Sequence, residues 1–297
     1  MLTMFTIPKA FRGDFDIIQK NAIRSWTLLR PECEIILFGN EEGTAEMAGE
    51  LGIRHIPDVE CNEYGTPLMD SVFSQAHDAA SHELMCFINT DIILTSDFLP
   101  ALQTVHNKEF LMVGLRWDLD VNEPIDFENA WWEILLTDRM KEHGKLHPPG
   151  GGGDYFIFPR GLFEHIPPFA IGRAAWDNWF IYRGCELKIP VIDATRAFTN
   201  VHQSHDYSHH PDGTEGIWEG PERTRNIELA GGEDRAFNTE SATWILTAQD
   251  MKRALSLRHI YFRMRTTPIL HPRLGFLLPL FKIFERLVMV TRSVIGR

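Results

Sequence analysis

The sequence predicts an α/β protein built on a mixed, mostly parallel sheet flanked by helices, with a helical C-terminal tail. Two observations predict it. Short apolar runs of strand length alternate with longer stretches of near-helical spacing through most of the chain. Proline and glycine punctuate the joints, at Pro8, Pro31 and Gly39. Strand–helix alternation of this kind places the strands side by side in one sheet.

Each element has its own reason. LTMFTI, residues 2–7, is a buried strand closed by Pro8. Over 14–30, Phe15, Ile18, Ala22, Trp26 and Leu29 recur at near-helical spacing, and Pro31 ends the helix. EIILF (34–38) is the second strand, followed by Gly39 and a helix over 42–51. IRHI (53–56) is a short third strand. A helix over 67–80 leads into ELMCFIN, the fourth. Beyond Asp91 the pattern predicts a helix near 97–106, a strand over 110–115 and a helix over 127–143. A glycine loop (148–154), a strand (155–158), a helix (175–185) and the strand IPVIDA (189–194) follow. The tract 200–240 is polar, rich in His and Gly and poor in periodic pattern, so loops are expected there. The expected division is a main domain over 1–245 and a helical extension, apolar and basic, over 246–297.

Composition narrows the function. At 44% hydrophobic and 24% charged, 297 residues can bury a large core. The net charge of −12, with no basic patch or stripe, disfavours a nucleic-acid backbone as partner and suits chemistry with a bound cation. Cys33, Cys61, Cys86 and Cys185 form no CxxC pair and no zinc-spaced cluster, so reduced thiols and a cytoplasmic setting are expected. The N-terminal residues lack the basic and apolar regions of a signal peptide, and no stretch has the length and apolarity of a spanning helix. The end of the chain differs. Residues 270–297 are apolar, with Arg273, Lys282, Arg286, Arg292 and Arg297 against one acid, Glu285. Two readings stay open: an interfacial helix at the inner face of a membrane, or a helix docked on the core or on another subunit.

The chemistry gathers at strand ends, where ligands bind in such sheets. Thr6, Pro8 and Arg12 follow the first strand, Gly39 and Asn40 the second, and Asn89, Thr90 and Asp91 the fourth. Asp91 is a carboxylate inside an apolar run, MCFINTDIIL, and needs a partner. One candidate is a hard divalent cation carrying a diphosphate, since Mg²⁺ and Mn²⁺ take such oxygens. The other is structural: a cap for the helix beginning near Ser96, or a turn. Trp117, Asp118 and Asp120 follow a strand end and pair an aromatic face with carboxylates, as sugars require. Gly150 to Gly153 allow close backbone approach but lack the Gly-Lys-Ser/Thr of a P-loop. His209 and His210 read as surface histidines.

The order of strands and helices ending in FINTDIIL resembles the GT-A-fold glycosyltransferases, of the family 2 type, over roughly residues 2–210. Members carry a short acidic motif, often Asp-x-Asp, after the fourth strand. Here it reads Asn89-Thr90-Asp91, with the first acid replaced. The resemblance implies that Asp91 holds the cation (Mn²⁺ or Mg²⁺) of a nucleotide-sugar donor. Thr6, Pro8, Arg12, Gly39, Asp70, Asn89 and Thr90 would line the nucleotide, Asp70 through GTPLMDSVFSQA. It places Asp177, in GRAAWDNWF, where inverting members keep their base. His202, with His205 as a further candidate, falls where a metal-binding histidine follows a late strand. Trp117, Asp118, Gly152, Gly153, Asp154 and Trp176 complete the expected substrate set, Asp118 toward donor-sugar hydroxyls. The expected acceptor is a saccharide or a lipid-linked hydroxyl compound. Two other readings stay open. One is a sugar-phosphate nucleotidyltransferase, for which TIPKAFRGDF is poor in the basic, glycine-rich pattern required. The other is a non-catalytic carbohydrate-binding protein with a degenerate site, to which Asn89 lends weight.

Overall fold

Residues 2–149, 153–205 and 219–277 are described by the structure, a computed structural model. The apolar runs become strands as expected: β1 (Leu2–Thr6), β2 (Glu34–Phe38), β3 (Arg54–Ile56) and β4 (Leu84–Ile88). Further along the chain lie β5 (Ile92–Leu94), β6 (Leu111–Val113), β7 (Trp117–Leu119), β8 (Lys145–Leu146) and β9 (Tyr155–Pro159). Last come β10 (Val191–Arg196), β11 (Asn200–Gln203), β12 (Trp244–Thr247) and β13 (Met251–Arg253). The described helices are α1 (Asp14–Thr27), α2 (Thr44–Leu51), α3 (Met69–Ala79), α4 (Phe98–Gln103), α5 (Trp132–His143), α6 (Trp176–Glu186), α7 (Pro221–Ala230) and α8 (Leu257–Leu270).

The main sheet has the order β13-β12-β10-β6-β9-β4-β1-β2-β3. Its pairs are parallel except where β9 runs against β4 and β6, and β13 against β12. This is a Rossmann-like sheet, mixed and mostly parallel. Because side chains alternate across a strand, each strand feeds two cores. Met4, Cys86 and Ile88 join Trp26, Ile23 and Leu37 beneath α1 and α2. Phe5, Met85 and Phe87 join Phe73, Phe158, Phe180 and Trp176 beneath α3 and α6. A run buried on both faces is apolar at nearly every position, which is why these strands were visible in the sequence.

A second, smaller sheet was not visible. Its order is β5-β11-β7-β8, from strands of two to four residues. One of its strands, β11, stands in the tract after residue 200 where loops were expected, and the correction matters because that strand carries His202 into the site. Such short strands carry no pattern of their own; pairing between distant segments creates them. The same tract holds α7, which opens on proline at its first turn. Its buried positions are Glu222, Asn226 and Ala230, a mostly polar stripe that hydrophobic periodicity cannot find. The main sheet runs on to residue 253 through β12 and β13, so its edge lies inside the extension expected from 246. No described helix is long and apolar enough to cross a membrane. Residues 278–297, most of the apolar and basic end, lie outside the described residues, as do Gly150, Gly151, Gly152, His209 and His210.

The buried face of α1 carries polar groups as well as Ile18, Ala22 and Trp26. Asn21 donates to Gln203 Oε1 (3.0 Å) and to the Glu123 carbonyl (3.1 Å), and accepts from the Ile125 amide (2.9 Å). Trp26 Nε1 donates to the Ile92 carbonyl (2.9 Å), and Ser25 Oγ accepts from the Leu94 amide (3.1 Å). Thus α1 holds both β5 and the end of β11. Asn21→Ala removes three hydrogen bonds at once, and the buried Gln203 Oε1 among their partners costs about 1–3 kcal/mol when left unmet. The variant is expected to lose about 1–3 kcal/mol in urea unfolding with an unchanged m-value. A loss below about 0.5 kcal/mol would show that Asn21 does not hold these segments.

Candidate active site

At the carboxyl ends of β1, β4 and β6 opens a cleft of about 1120 Å³. Its walls come from residues 7–15, 65–67, 89–91, 114–116, 153–154 and 171–178, with His202 and His205. Asp91 stands between β4 and β5, and its carbonyl accepts the Gln203 amide at 3.0 Å. The antiparallel pairing of β5 with β11 sets His202 opposite Ile92, and the parallel pairing with β7 sets it beside Asp118. The small sheet therefore delivers an imidazole to the carboxylate. Asp91 Oδ2 lies 3.6 Å from His202 Nε2 and 3.3 Å from His205 Nε2. One ligand atom from each of the three residues falls within 4.8 Å of the others. Asp91 Oδ1 is sealed from bulk solvent without a hydrogen-bond partner.

The charges agree with that arrangement. Burial opposes ionisation of Asp91, but His202, then His205 and Lys9, outweigh it and hold the carboxyl well below the usual range. Burial likewise opposes charge on His202, and Asp91 and Asp118 outweigh it, so its pKa is raised. Asp118 backs the imidazole from behind, with Oδ1 3.0 Å from His202 Nδ1. It also accepts from Arg116 Nε (2.9 Å) and faces His147 Nδ1 (2.8 Å). A carboxylate behind a metal-binding imidazole is the usual way its ring is oriented. An ionised carboxylate with an unpartnered oxygen and two converging imidazoles fits a divalent cation. The two nitrogens suit a first-row transition ion better than Mg²⁺.

Asn89 does not face a ligand alone. Its side chain donates to Asp154 Oδ1 (3.0 Å) and its amide to the Asp154 carbonyl (2.9 Å). Arg116 binds the same Oδ1 at 2.5 Å. The ladder that pairs Ile88 with Tyr155 brings the two residues together. An acid from the start of β9 thus sits beside the position where the motif lacks one. Asp154 Oδ2 keeps clear of protein partners among the described residues. Thr90 is buried and donates to Gln19 Oε1 at 2.9 Å. Asp177 lies in the first turn of α6 and Trp176 just before it, both on the cleft wall. Ala175, in the left-handed region at φ 88°, turns the chain into that helix. A strained residue here presents Asp177 at a helix N-terminus.

Of the other expected residues, Pro8, Arg12 and Gly153 line the cleft. Arg12 is exposed and pairs with Glu42. Thr6 is buried beneath the cleft, and Gly39 lies off its wall, with His55 Nε2 2.7 Å from its carbonyl. Trp117 and Asp118 stand behind the wall, Trp117 packed against the cluster of Ile93, Leu119 and Leu136. Asp70 faces a different groove, with Asp58, Glu60, His77 and His165. Gly152 lies outside the described residues. Sequence reasoning passed over Lys9, Phe15, Gln19, Arg116, His147 and Arg173. Lys9 alone left a signal, a cation directly after the first strand.

No protein-family model matches the sequence, and no curated protein matches it. Among solved structures, the chain is similar to glucosyl-3-phosphoglycerate synthase from Mycobacterium tuberculosis. In complex with Mn²⁺, UDP and phosphoglyceric acid, that protein shows 14% identity, 78% of this chain and 79% of that chain covered, and a TM-score of 0.47. In complex with Mg²⁺ and UDP, the figures are 13%, 78%, 80% and 0.46. Residues 1–349 of S. aureus TarS give 10%, 68%, 60% and 0.45. At such identities and TM-scores the likeness carries no function with it.

The Asp91 cluster has a direct test. Titration of Mn²⁺ followed by loss of the free-ion electron paramagnetic resonance signal is expected to show one site. Asp91→Ala and His202→Ala should each weaken it by about tenfold or more, with the fold intact by circular dichroism. Unchanged affinity in both variants would remove the cluster from consideration.

Proposed function

We propose that this chain is a metal-dependent glycosyltransferase that moves a sugar, with inversion, from a nucleotide-diphosphate donor to an acceptor hydroxyl. The observation that carries the reading is the convergence of Asp91, His202 and His205 on a cleft whose wall also holds Asp177. At about 1120 Å³ the cleft exceeds the usual 300–1,000 Å³ of a single small-ligand pocket, and has room for donor and acceptor together. A divalent cation bound at Asp91, His202 and His205 would neutralise the charge growing on the departing diphosphate.

The other tasks fall to the chain itself. Asp177 accepts the proton of the attacking acceptor hydroxyl as its oxygen bonds to the anomeric carbon and the bond to the departing diphosphate breaks. Trp176 offers a ring beside the base, and Asp154 Oδ2 an acceptor for a sugar hydroxyl. Asp118 orients His202, and that carboxylate is already engaged by three partners. A lipid-linked acceptor, met at a membrane through 270–297, is supported by Leu255, Leu257 and Phe276, all exposed close to that segment in the chain. Equal pelleting of the wild-type chain and a form carrying Leu255→Ser, Leu257→Ser and Phe276→Ser with anionic vesicles would contradict that last point.

Calorimetric titration of UDP, GDP, dTDP and CMP, with and without Mn²⁺, tests the reading. One nucleoside diphosphate is expected to bind, and only with the metal. Absence of binding under every condition would overturn the proposal. With the matching nucleotide sugar, Asp177→Asn should lower kcat by about 10²-fold or more with nucleotide affinity unchanged. Undiminished turnover would take the role of base from Asp177.

A further inference from the structure

Four basic side chains, one lysine and three arginines, line the cleft: Lys9, Arg12, Arg116 and Arg173. Three have carboxylates. Arg12 pairs with Glu42 at the exposed rim, Arg116 bridges Asp118 and Asp154, and Arg173 pairs with the nearly buried Glu222 at 2.8 Å. Lys9 has no carboxylate at ion-pair distance among the described residues. Its ammonium lies 4.4 Å from the centroid of the Phe15 ring, and that ring packs at 4.9 Å against His205. Burial lowers its pKa to about 8; nearby Asp91 works against the shift and Arg173 adds to it. Lys9 is half-buried, and an ammonium partly withdrawn from water without an anion carries a cost that a cation–π contact offsets only in part.

The position is also built. Gln19 in α1 is about 1% exposed and grips the main chain of Lys9 from both sides. Its Oε1 accepts the Lys9 amide at 2.7 Å, and its Nε2 donates to the Lys9 carbonyl at 2.8 Å. The same Oε1 accepts the Thr90 hydroxyl at 2.9 Å. One buried amide therefore fixes Lys9 relative to the residue preceding Asp91. A lysine kept bare of carboxylates, yet held this firmly beside the candidate metal ligands, is a site prepared for an anion that arrives from outside.

We propose that Lys9 is the counter-charge for the phosphate oxygens of the ligand held in this cleft. The proposal rests on the donor reading above for its diphosphate, and goes beyond it in naming the residue and its effect. Lys9 and a cation at Asp91 repel one another while the cleft holds no anion. A diphosphate between them satisfies both. Lys9 thus weakens metal binding alone, strengthens phosphate binding, and makes each ligand favour the other.

This gives two opposite signs in one variant. Lys9→Gln is expected to bind Mn²⁺ roughly threefold to tenfold more tightly without nucleotide, because a nearby positive charge is gone. The same variant should bind the nucleoside diphosphate about tenfold more weakly at saturating Mn²⁺, from loss of a charge-assisted contact. Lys9→Arg should stay near wild type in both and guards against misfolding. Mn²⁺ is followed by paramagnetic resonance, and the phosphate ligand by calorimetry, with pyrophosphate and inorganic phosphate beside the nucleotides. Weakening of both ligands in Lys9→Gln, or a change in neither, overturns the proposal. If wild type binds pyrophosphate but no nucleoside diphosphate, and the two signs hold for pyrophosphate, Lys9 keeps its role while the donor reading falls. If only inorganic phosphate shows the signs, Lys9 serves a phosphate-bearing acceptor, and its assignment to the donor is wrong. If wild type binds no phosphate compound, both readings fall.

Discussion

Polar side chains on the buried face of one helix hold the candidate site together. Gln19, Asn21 and Ser25 lie on α1 at depths where nearly every polar group is paired. Their partners are not neighbours in the chain. Gln19 reaches Thr90, 71 residues on, and Asn21 reaches Gln203, 182 residues on. Ser25 and Trp26 hold the strand that follows Asp91. Each contact fixes a segment that carries a site residue: Lys9, Asp91, or His202 beside Gln203. The apolar residues of α1 supply the burial, and the polar ones convert it into registry. Leaving such groups unpaired would be expensive, so alternative placements of these segments are disfavoured.

Around that frame the charges form two layers. The inner one faces the cleft: Asp91 with two imidazoles, Lys9, Asp154 and Asp177. The outer one consists of Asp118, with Arg116 and His147 around it, and Glu222 against Arg173. Hydrogen bonds hold the Asp118 carboxyl well below its usual range despite burial, so it stays ionised behind His202. Arg116 touches both layers, binding Asp118 and Asp154 at once. Loss of a single member would therefore disturb several distances, and variants in the outer layer should act through the geometry of the inner one.

Much of this was legible from residues alone. Two-sided burial writes apolar runs into β1, β2, β4 and β9, and the carboxyl ends of β1 and β4 point to the cleft. Asp91 stood out because a carboxylate amid MCFIN and IIL must have a partner. Asn89 read as a replaced acid with Asp91 keeping the metal contact; the ladder between β4 and β9 supplies Asp154 beside it, a pairing 65 residues apart that no local pattern shows. The small sheet was hidden for the same reason. Asp70 illustrates a different limit. Met69, Val72, Phe73 and Ala76 fix which face of α3 is buried, and Asp70 is carried to the groove beside Ser74 and His77. Helical spacing fixed that face in advance, but not which opening it would border. Glu222 and Asn226 escaped because their helix packs through hydrogen bonds and an ion pair, with Asn226 clamping residues 170 and 174.

The central claim is that Asp91, His202 and His205 form a metal site that receives a diphosphate. Pulsed electron paramagnetic resonance on the Mn²⁺-loaded protein addresses it most directly. The account predicts nitrogen modulation from two imidazoles, and a phosphorus coupling that appears when the nucleoside diphosphate is added. Bound Mn²⁺ with no imidazole nitrogen, or with nitrogen but no phosphorus coupling at saturating nucleotide, would contradict it.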